Sequence, residues 1–137
     1  MRFLDSSIPL AVLLEEPRES REDAVEIFAA VEDGRERVVA SPFGVAEIVY
    51  VLERARWRRA KVREALRDLL GAAGLRLVAA EPNLVPVALD LYRTSGADFI
   101  DCHNVATMRA LGLNEIFSFD RHFDAFPGIT RRVALSQ

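Results

Sequence analysis

The sequence is poor in the residues that build disulfides and zinc sites. It has one cysteine, Cys102, and two histidines among 137 residues. A single thiol cannot close an internal disulfide, and no cluster of Cys and His offers the ligands that zinc takes in structural sites. These absences exclude a disulfide scaffold and a Cys/His zinc domain, and we expect Cys102 to be a small buried residue.

The chain also lacks long apolar runs. None approaches the roughly 20 residues that a membrane-spanning helix needs. The apolar stretch 8–14 follows an acid and leads to no small-residue cleavage site, so we expect no signal peptide and no membrane partner. This combination predicts a cytoplasmic protein.

Excess positive charge is the third absence. The chain has 18 Lys and Arg against 21 Asp and Glu, for a net charge of −3. This excludes a protein that coats nucleic acid through bulk charge, but not a nuclease, whose acidic metal site subtracts several charges locally. Half of the residues are apolar, so the chain can bury a core, and its length suits one domain over residues 1–137.

Apolar periodicity and turn residues predict that strands and helices alternate. The predicted strands span residues 2–5, 37–40, 75–80, 115–119 and 131–134. The predicted helices span residues 8–15, 21–32, 59–73, 81–95, 98–111 and 121–126, with a further one that opens at Ser41-Pro42. Strands separated by helices imply an α/β fold with a mostly parallel central sheet flanked by helices.

Helical spacing also predicts which side chains face the core. In the helix at 81–95 the predicted inward residues are Val85, Ala88, Leu89 and Tyr92. In the helix at 59–73 they are Val62, Leu66, Leu69 and Leu70. Gly74 is predicted to end that second helix.

Four acids stand where an α/β sheet places its ligands. Asp5 and Asp120 end the first and fourth strands, at the edge where open α/β sheets carry their sites. Glu47 lies in the second turn of its helix, and Asp101 lies on the apolar stripe of another. Carboxylates brought together repel one another, and a hard divalent cation such as Mg²⁺ or Mn²⁺ relieves the repulsion.

Each acid also has a purely structural interpretation. Asp5 could bond local amides in a turn, and Asp120 could cap the helix that follows it. Asp98 and Asp101 are spaced as a helix cap and an acid at the third position. Glu47 could be a solvated residue on its helix surface. The four acids taken alone therefore leave both interpretations open.

The residues around the acids favour the metal-site interpretation. Four segments in order resemble the sequence blocks of the PIN-domain family, in particular the VapC toxin type: MRFLDSSIPLAVLL at 1–14, SPFGVAEIVYVL at 41–52, ADFIDCHNVATMRALG at 97–112 and IFSFDRHF at 116–123. The resemblance implies a three-layer PIN-like domain and a divalent-metal-dependent endoribonuclease. It further implies the toxin of a type II toxin–antitoxin pair, with RNA as substrate, an antitoxin as partner and a homodimer as assembly.

Carried over position by position, the resemblance assigns catalysis and Mg²⁺ or Mn²⁺ binding to Asp5, Glu47, Asp101 and Asp120. Asp5, Asp101 and Asp120 would hold the metal, with Glu47 directly or through water. A water activated by the metal would attack the RNA phosphodiester, and Glu47 would help to orient or deprotonate it.

Supporting roles follow for four further residues. Asp98 is expected as an outer acid or a capping residue, and Ser6 and Ser118 match positions where a small hydroxyl supports the site. His122 is a departure, because some relatives carry a further acid there. The other histidine, His103, is expected at the surface or in a local structural role.

A basic run follows the second block: Arg54, Arg56, Trp57, Arg58, Arg59, Lys61 and Arg63. It predicts an RNA-backbone surface with Trp57 stacked on a base. A solvated helix pair with Trp57 as a hinge or dimer contact is the alternative, and the resemblance adds an antitoxin contact as a third.

Two other functions compete with the nuclease. A phosphotransfer receiver would need a pair of acids after the first strand and a late lysine, whereas Asp5 stands alone and the only lysine is Lys61. A catalytically silent PIN-fold module that binds RNA or protein stays open, although it would have no reason to keep four acids.

Overall fold

The computed structural model describes residues 1–135, which form a sheet of five strands between two layers of helices. The strands are β1 Arg2–Leu4, β2 Val38–Ala40, β3 Leu75–Leu77, β4 Glu115–Phe117 and β5 Thr130–Arg132. The helices are α1 Ser7–Leu14, α2 Arg18–Glu32, α3 Pro42–Arg54, α4 Arg59–Leu70, α5 Val85–Ser95 and α6 Phe99–Ala110. Short 3₁₀ turns occupy Pro82–Leu84 and Arg121–Ala125.

The sheet has the order β3-β2-β1-β4-β5, and every neighbouring pair is parallel. The predicted α/β class is thus confirmed, and a sheet predicted to be mostly parallel is parallel throughout the described chain. Strand β1 is central, with β2 and β4 on its two sides. The order reverses at β1, so the carboxyl ends of β1 and β4 border the crevice where such sheets bind ligands.

Successive side chains of a strand point to opposite faces of the sheet and join two different halves of the core. Phe3 and Ile116 belong to a buried cluster with Val105 and Met108 of α6. Leu4 and Phe117, one residue further along, join a second cluster with α1 and α2. Because successive side chains of a strand point to opposite faces, both faces of the sheet are covered by helices.

The strands are shorter than predicted, and two helices differ from their predicted bounds. Each strand has three residues, since parallel pairing, rather than β-propensity, decides where a strand ends. Helix α2 begins at Arg18 instead of residue 21, and the predicted helix at 81–95 divides into a 3₁₀ turn and α5.

Two predicted faces are partly wrong. Ala88 is buried, whereas Leu89 is 52% and Tyr92 is 54% exposed, and Leu70 is exposed while its neighbour Leu69 is buried. Helical spacing identifies a stripe but not its width, and α5 covers the sheet with a narrower stripe than its apolar residues could supply.

Gly74 has a different role from the predicted one. Helix α4 ends at Leu70, and a Cβ at Gly74 would lie 2.0 Å from the carbonyl oxygen of Glu36. The residue is therefore needed for the close approach of two backbones before β3, a long-range requirement.

None of the helices within residues 1–135 is both long enough and apolar enough to cross a membrane.

Candidate active site

Asp5 lies at the carboxyl end of the central strand and is buried. Its backbone N–H donates to the carbonyl of Phe117 at 3.0 Å, which continues the pairing of β1 with β4. Its side chain is 3% exposed. The position follows from the fold, because a residue that directly follows a buried strand remains between the layers of helices.

Two serines hold the Asp5 carboxylate. The hydroxyls of Ser7 and Ser118 each donate to Asp5 Oδ2 at 2.7 Å. Ser118 Oγ also accepts the backbone N–H of Asp120 at 2.9 Å. Ser7 Oγ accepts the N–H of Phe119 at 3.0 Å. These bonds tie the ends of β1 and β4 together and orient the Asp5 carboxylate.

Glu47 reaches the same edge from α3. Ser41 caps that helix by accepting the N–H of Gly44, and Pro42 occupies its first turn, as predicted. Glu47 Oε1 accepts a hydrogen bond from the Ser6 hydroxyl, so the residue next to Asp5 holds the acid of α3. Glu47 is half-buried and so is not a fully solvated residue of the helix surface.

Asp101 enters from the first turn of α6. Its side chain is 3% exposed, while the neighbouring Asp98 is exposed and caps the helix by accepting the Asp101 N–H at 2.9 Å. The capping role expected for Asp98 is thus seen, and the inward acid is Asp101.

Asp120 and His122 complete the edge. Asp120 Oδ1 accepts the backbone N–H of His122 at 2.9 Å, which caps the short 3₁₀ turn. The Nδ1 atom of His122 lies 3.3 Å from Asp120 Oδ1 and 3.4 Å from Asp101 Oδ2. Ligand atoms of Asp101, Asp120 and His122 all lie within 4.8 Å of one another. Among the described residues, Asp5 and Glu47 are not part of that tighter group.

Burial, together with mutual repulsion, raises the pKa of three of the acids. Burial raises the pKa of Asp101 to about 9, with the charges of Asp5, Asp98, Asp120 and Glu47 adding to the effect. Burial likewise raises the pKa of Glu47, against the hydrogen bond from Ser6. Burial raises the pKa of Asp5 too, although the bonds from Ser7 and Ser118 oppose it.

The donor set suits a divalent cation. Within residues 1–135, the ion pairs include no Arg or Lys partner for Asp5, Glu47 or Asp101. Buried carboxylates without a fixed cation are costly, and oxygen-rich clusters of this kind are the ligands that Mg²⁺ and Mn²⁺ take. The residues present therefore fit such an ion.

The basic run is the far end of α3, its turn and the start of α4. Arg54, seven residues after Glu47, lies about 10 Å further along the helix axis. Trp57 is half-buried against the cluster that contains Leu52 and Leu66, and Lys61 Nζ lies 6.0 Å from the Trp57 ring centroid. The other basic side chains are exposed: Arg54, Arg56, Arg58, Arg59 and Arg63. The surface is thus separate from the acids.

Some residues differ from expectation or were missed. Ser7 was not assigned a role, yet it contacts Asp5, while the assigned Ser6 contacts Glu47. A signal was present in the Asp-Ser-Ser step, because an Asp at a strand end often bonds to the residue two positions later. Cys102 is buried as predicted, and His103 is fully buried with its ring centroid 4.7 Å from that of Phe43, a local structural role.

Comparison with known proteins assigns this chain to a family. The PIN domain family matches residues 2–129. A VapC ribonuclease of Aquifex aeolicus (strain VF5) is 27% identical over 124 residues, which is 90% of each chain.

Two solved structures share the fold. VapC20 of Mycobacterium tuberculosis, described as a sarcin-ricin loop cleaving toxin, has a TM-score of 0.69 at 22% identity and covers 91% of this chain and 94% of its own. VapBC2 of Rickettsia felis, bound to a DNA fragment from its promoter, has a TM-score of 0.68 at 13% identity, with 96% of both chains covered. The all-parallel sheet, with acids after the carboxyl ends of β1 and β4, agrees with this assignment. The family match over nearly the whole chain shows that this chain belongs to the PIN domain family.

Proposed function

We propose that this protein is a divalent-metal-dependent endoribonuclease and the toxin of a type II toxin–antitoxin pair. The observation that carries the proposal is the acidic edge: Asp5, Glu47, Asp101 and Asp120 come from four separate segments and meet with no Arg or Lys partner for Asp5, Glu47 or Asp101 among the described residues. Serine hydroxyls hold the carboxylates of Asp5 and Glu47, and His122 lies beside those of Asp101 and Asp120. The match to the PIN domain family and the similarity to a VapC ribonuclease support a ribonuclease function.

Asp5, Asp101 and Asp120 would hold Mg²⁺ or Mn²⁺, with Glu47 directly or through a water. When bound, such an ion lowers the pKa of a water and neutralises charge on phosphate oxygens, which suits hydrolysis of an RNA phosphodiester. The ion would also offset the burial and the repulsion that raise the pKa values of Asp101, Glu47 and Asp5.

The protein's own groups have distinct tasks. Ser7 and Ser118 fix the direction of the Asp5 carboxylate, and Ser118 sets the start of the Asp120 segment. Glu47 is held at Oε1 by Ser6. Burial raises the pKa of Glu47, which makes its ionised carboxylate a stronger base than that of an ordinary glutamate. Glu47 would therefore take the proton of the attacking water or orient that water.

RNA is the proposed substrate. One structural neighbour is described as cleaving the sarcin-ricin loop, and an RNA loop exposes the unpaired nucleotides that a single-strand-cutting site needs. The basic surface of α3 and α4 would bind the RNA backbone or the antitoxin. Trp57 is half-buried, which leaves part of its ring for a base or a partner.

An antitoxin and a second copy of the chain are the proposed protein partners, and the cytoplasm the proposed location. Structural neighbours include a toxin-antitoxin complex from Klebsiella pneumoniae, with a TM-score of 0.63 at 15% identity. The exposed Leu89 and Tyr92 on α5 are apolar side chains that a second copy would cover.

Cleavage of a total-RNA pool tests the function. Purified protein with Mg²⁺ or Mn²⁺ should make discrete cuts that EDTA abolishes. Asp101→Asn should remove them, whereas the matched control Asp90→Asn, an exposed acid on α5, should cut as the wild type does. Metal binding without any cutting would favour a catalytically silent PIN-fold module. Equal cutting by wild type and Asp101→Asn would place the active site elsewhere.

A further inference from the structure

His122 brings a nitrogen atom into a site otherwise made of oxygens. Its Nδ1 lies 3.3 Å from Asp120 Oδ1 and 3.4 Å from Asp101 Oδ2. All three donor groups lie within 4.8 Å of one another, a spacing at which one ion can contact each of them.

The backbone on both sides holds His122 at this edge. Its backbone N–H donates to Asp120 Oδ1 at 2.9 Å. The next residue, Phe123, is fully buried in the core cluster of α5 and α6. The imidazole is half-exposed, with 55% of its side chain accessible, so its direction toward Asp101 and Asp120 comes from the turn and not from packing around the ring.

Nitrogen ligands change which metal a site prefers. Mg²⁺ takes oxygen ligands almost exclusively, whereas imidazole suits the later first-row divalent metals, whose affinity for nitrogen rises from Mn²⁺ to Co²⁺ and Ni²⁺. A set of two carboxylates and one imidazole is therefore better matched to Co²⁺ or Mn²⁺ than a set of carboxylates alone.

We propose that His122 Nδ1 is a ligand of the metal bound here and makes the site prefer Mn²⁺ and Co²⁺ over Mg²⁺. The inference rests on the proposed function for the presence of a metal, and goes beyond it by naming a ligand and a selectivity. The alternative is an ion pair between a charged imidazole and its two carboxylate neighbours. Such an ion pair would compete with a metal for the carboxylates instead of binding the metal.

Measurements of metal binding to the full chain distinguish a metal-ligating His122 from a His122 that only forms an ion pair. Dissociation constants for Mg²⁺, Mn²⁺ and Co²⁺ are measured by calorimetry for the wild type, His122→Asn and His122→Asp. The loss of an imidazole ligand should weaken Mn²⁺ and Co²⁺ binding in His122→Asn by about tenfold or more, and leave Mg²⁺ affinity unchanged. His122→Asp should shift the preference toward Mg²⁺, because it replaces the nitrogen with oxygens.

Pulsed electron paramagnetic resonance of the Mn²⁺-loaded protein supplies the second readout. The wild type should show ¹⁴N coupling that disappears in His122→Asn. The other histidine, His103, is fully buried and should contribute none. Absence of ¹⁴N coupling in a wild type that binds Mn²⁺, or tighter binding of every metal by His122→Asn, would overturn this inference and leave the proposed function standing. A wild type that binds no divalent ion would overturn both.

Discussion

Ser118 is the residue on which the proposed site depends most without supplying a ligand. Its hydroxyl donates to the Asp5 carboxylate and accepts the backbone N–H of Asp120, so one buried group orients the first acid and fixes the backbone at the second. Groups that orient metal ligands are worth about 10–100-fold in metal affinity or activity.

Ser118→Ala should therefore lower RNA cleavage by about 10-fold or more, with weaker metal binding and little change in fold. The effect is measured as cleavage rate against metal concentration. Thr94→Ala, which removes an exposed hydroxyl on α5, is the control and should behave as wild type. Wild-type activity in Ser118→Ala would show that Ser7 alone orients Asp5.

At the scale of single residues, the candidate acids are easier to predict from the sequence than the serines that hydrogen-bond to them. Asp5 and Asp120 are recognisable because they follow apolar strands, and Asp101 because it shares the apolar stripe of its helix. The Ser7–Asp5 contact has a local signal in the Asp-Ser-Ser step, but the contact of Ser6 with Glu47 could not be predicted, since it depends on how α3 approaches the turn after β1. The position of His122 beside both Asp101 and Asp120 depends in the same way on tertiary packing.

Among the elements, the turn between α3 and α4 stores backbone strain. Arg56 has φ of 64°, the left-handed region. The N–H of Arg56 bonds to the carbonyl of Glu53, and that of Trp57 to the carbonyl of Leu52, both at 3.0 Å. This is the helix ending that usually carries glycine, and Trp57 and Leu52 share an apolar cluster across it.

Arg56→Gly should raise the free energy of unfolding by about 1 kcal/mol, because glycine adopts this conformation without steric cost. Urea unfolding measures the change. The control Arg54→Gly lies in the last turn of α3 and should lower stability by about 0.5–1 kcal/mol. A loss of stability in Arg56→Gly would mean that the arginine side chain makes a contact worth more than the strain.

Helices are more predictable here than strands. The start of α3 at Ser41-Pro42 and of α6 after Asp98 follows from capping, which needs only neighbouring residues. Strand ends and the need for Gly74 depend on residues far away in the chain. The outward position of Leu89 and Tyr92 also has no local signal, since apolar spacing alone does not show which layer covers α5.

Across the whole molecule, the acidic cluster opposes folding when no metal is bound. The pKa of Asp101 is raised from 3.8 to about 9, and burial raises those of Asp5 and Glu47 as well. Between the unfolded and the folded pKa the native state holds more protons than the unfolded chain. The free energy of unfolding therefore falls as pH rises through this window.

In EDTA the melting temperature should fall as the pH rises from about 5.5 to about 8.5, with up to about 1.4 kcal/mol lost per pH unit for one fully shifted carboxyl. Mn²⁺ should abolish most of the fall, because it stabilises the ionised cluster. Asp101→Asn should flatten the pH dependence in EDTA. Thermal unfolding at several pH values measures this, and a melting temperature that rises over the same range would contradict the assignment.

The fold of the whole chain follows from the sequence more completely than the site does. Alternating apolar segments and their breakers are sufficient for a parallel α/β sheet, and the order of four acidic blocks is sufficient for the family. The identity of the RNA has no counterpart in the spacing of acids, because it depends on surface shape around the site.

Cleavage by Asp5→Asn tests the central claim most directly, because Asn keeps the size and the acceptor oxygen of Asp5 but removes its charge. Ser7 and Ser118 can still donate to that oxygen, so the fold should persist, with a melting temperature in EDTA at or above that of the wild type. Metal-dependent cleavage of RNA should fall by about 10²–10³-fold. Undiminished cleavage by a folded Asp5→Asn protein would contradict the account.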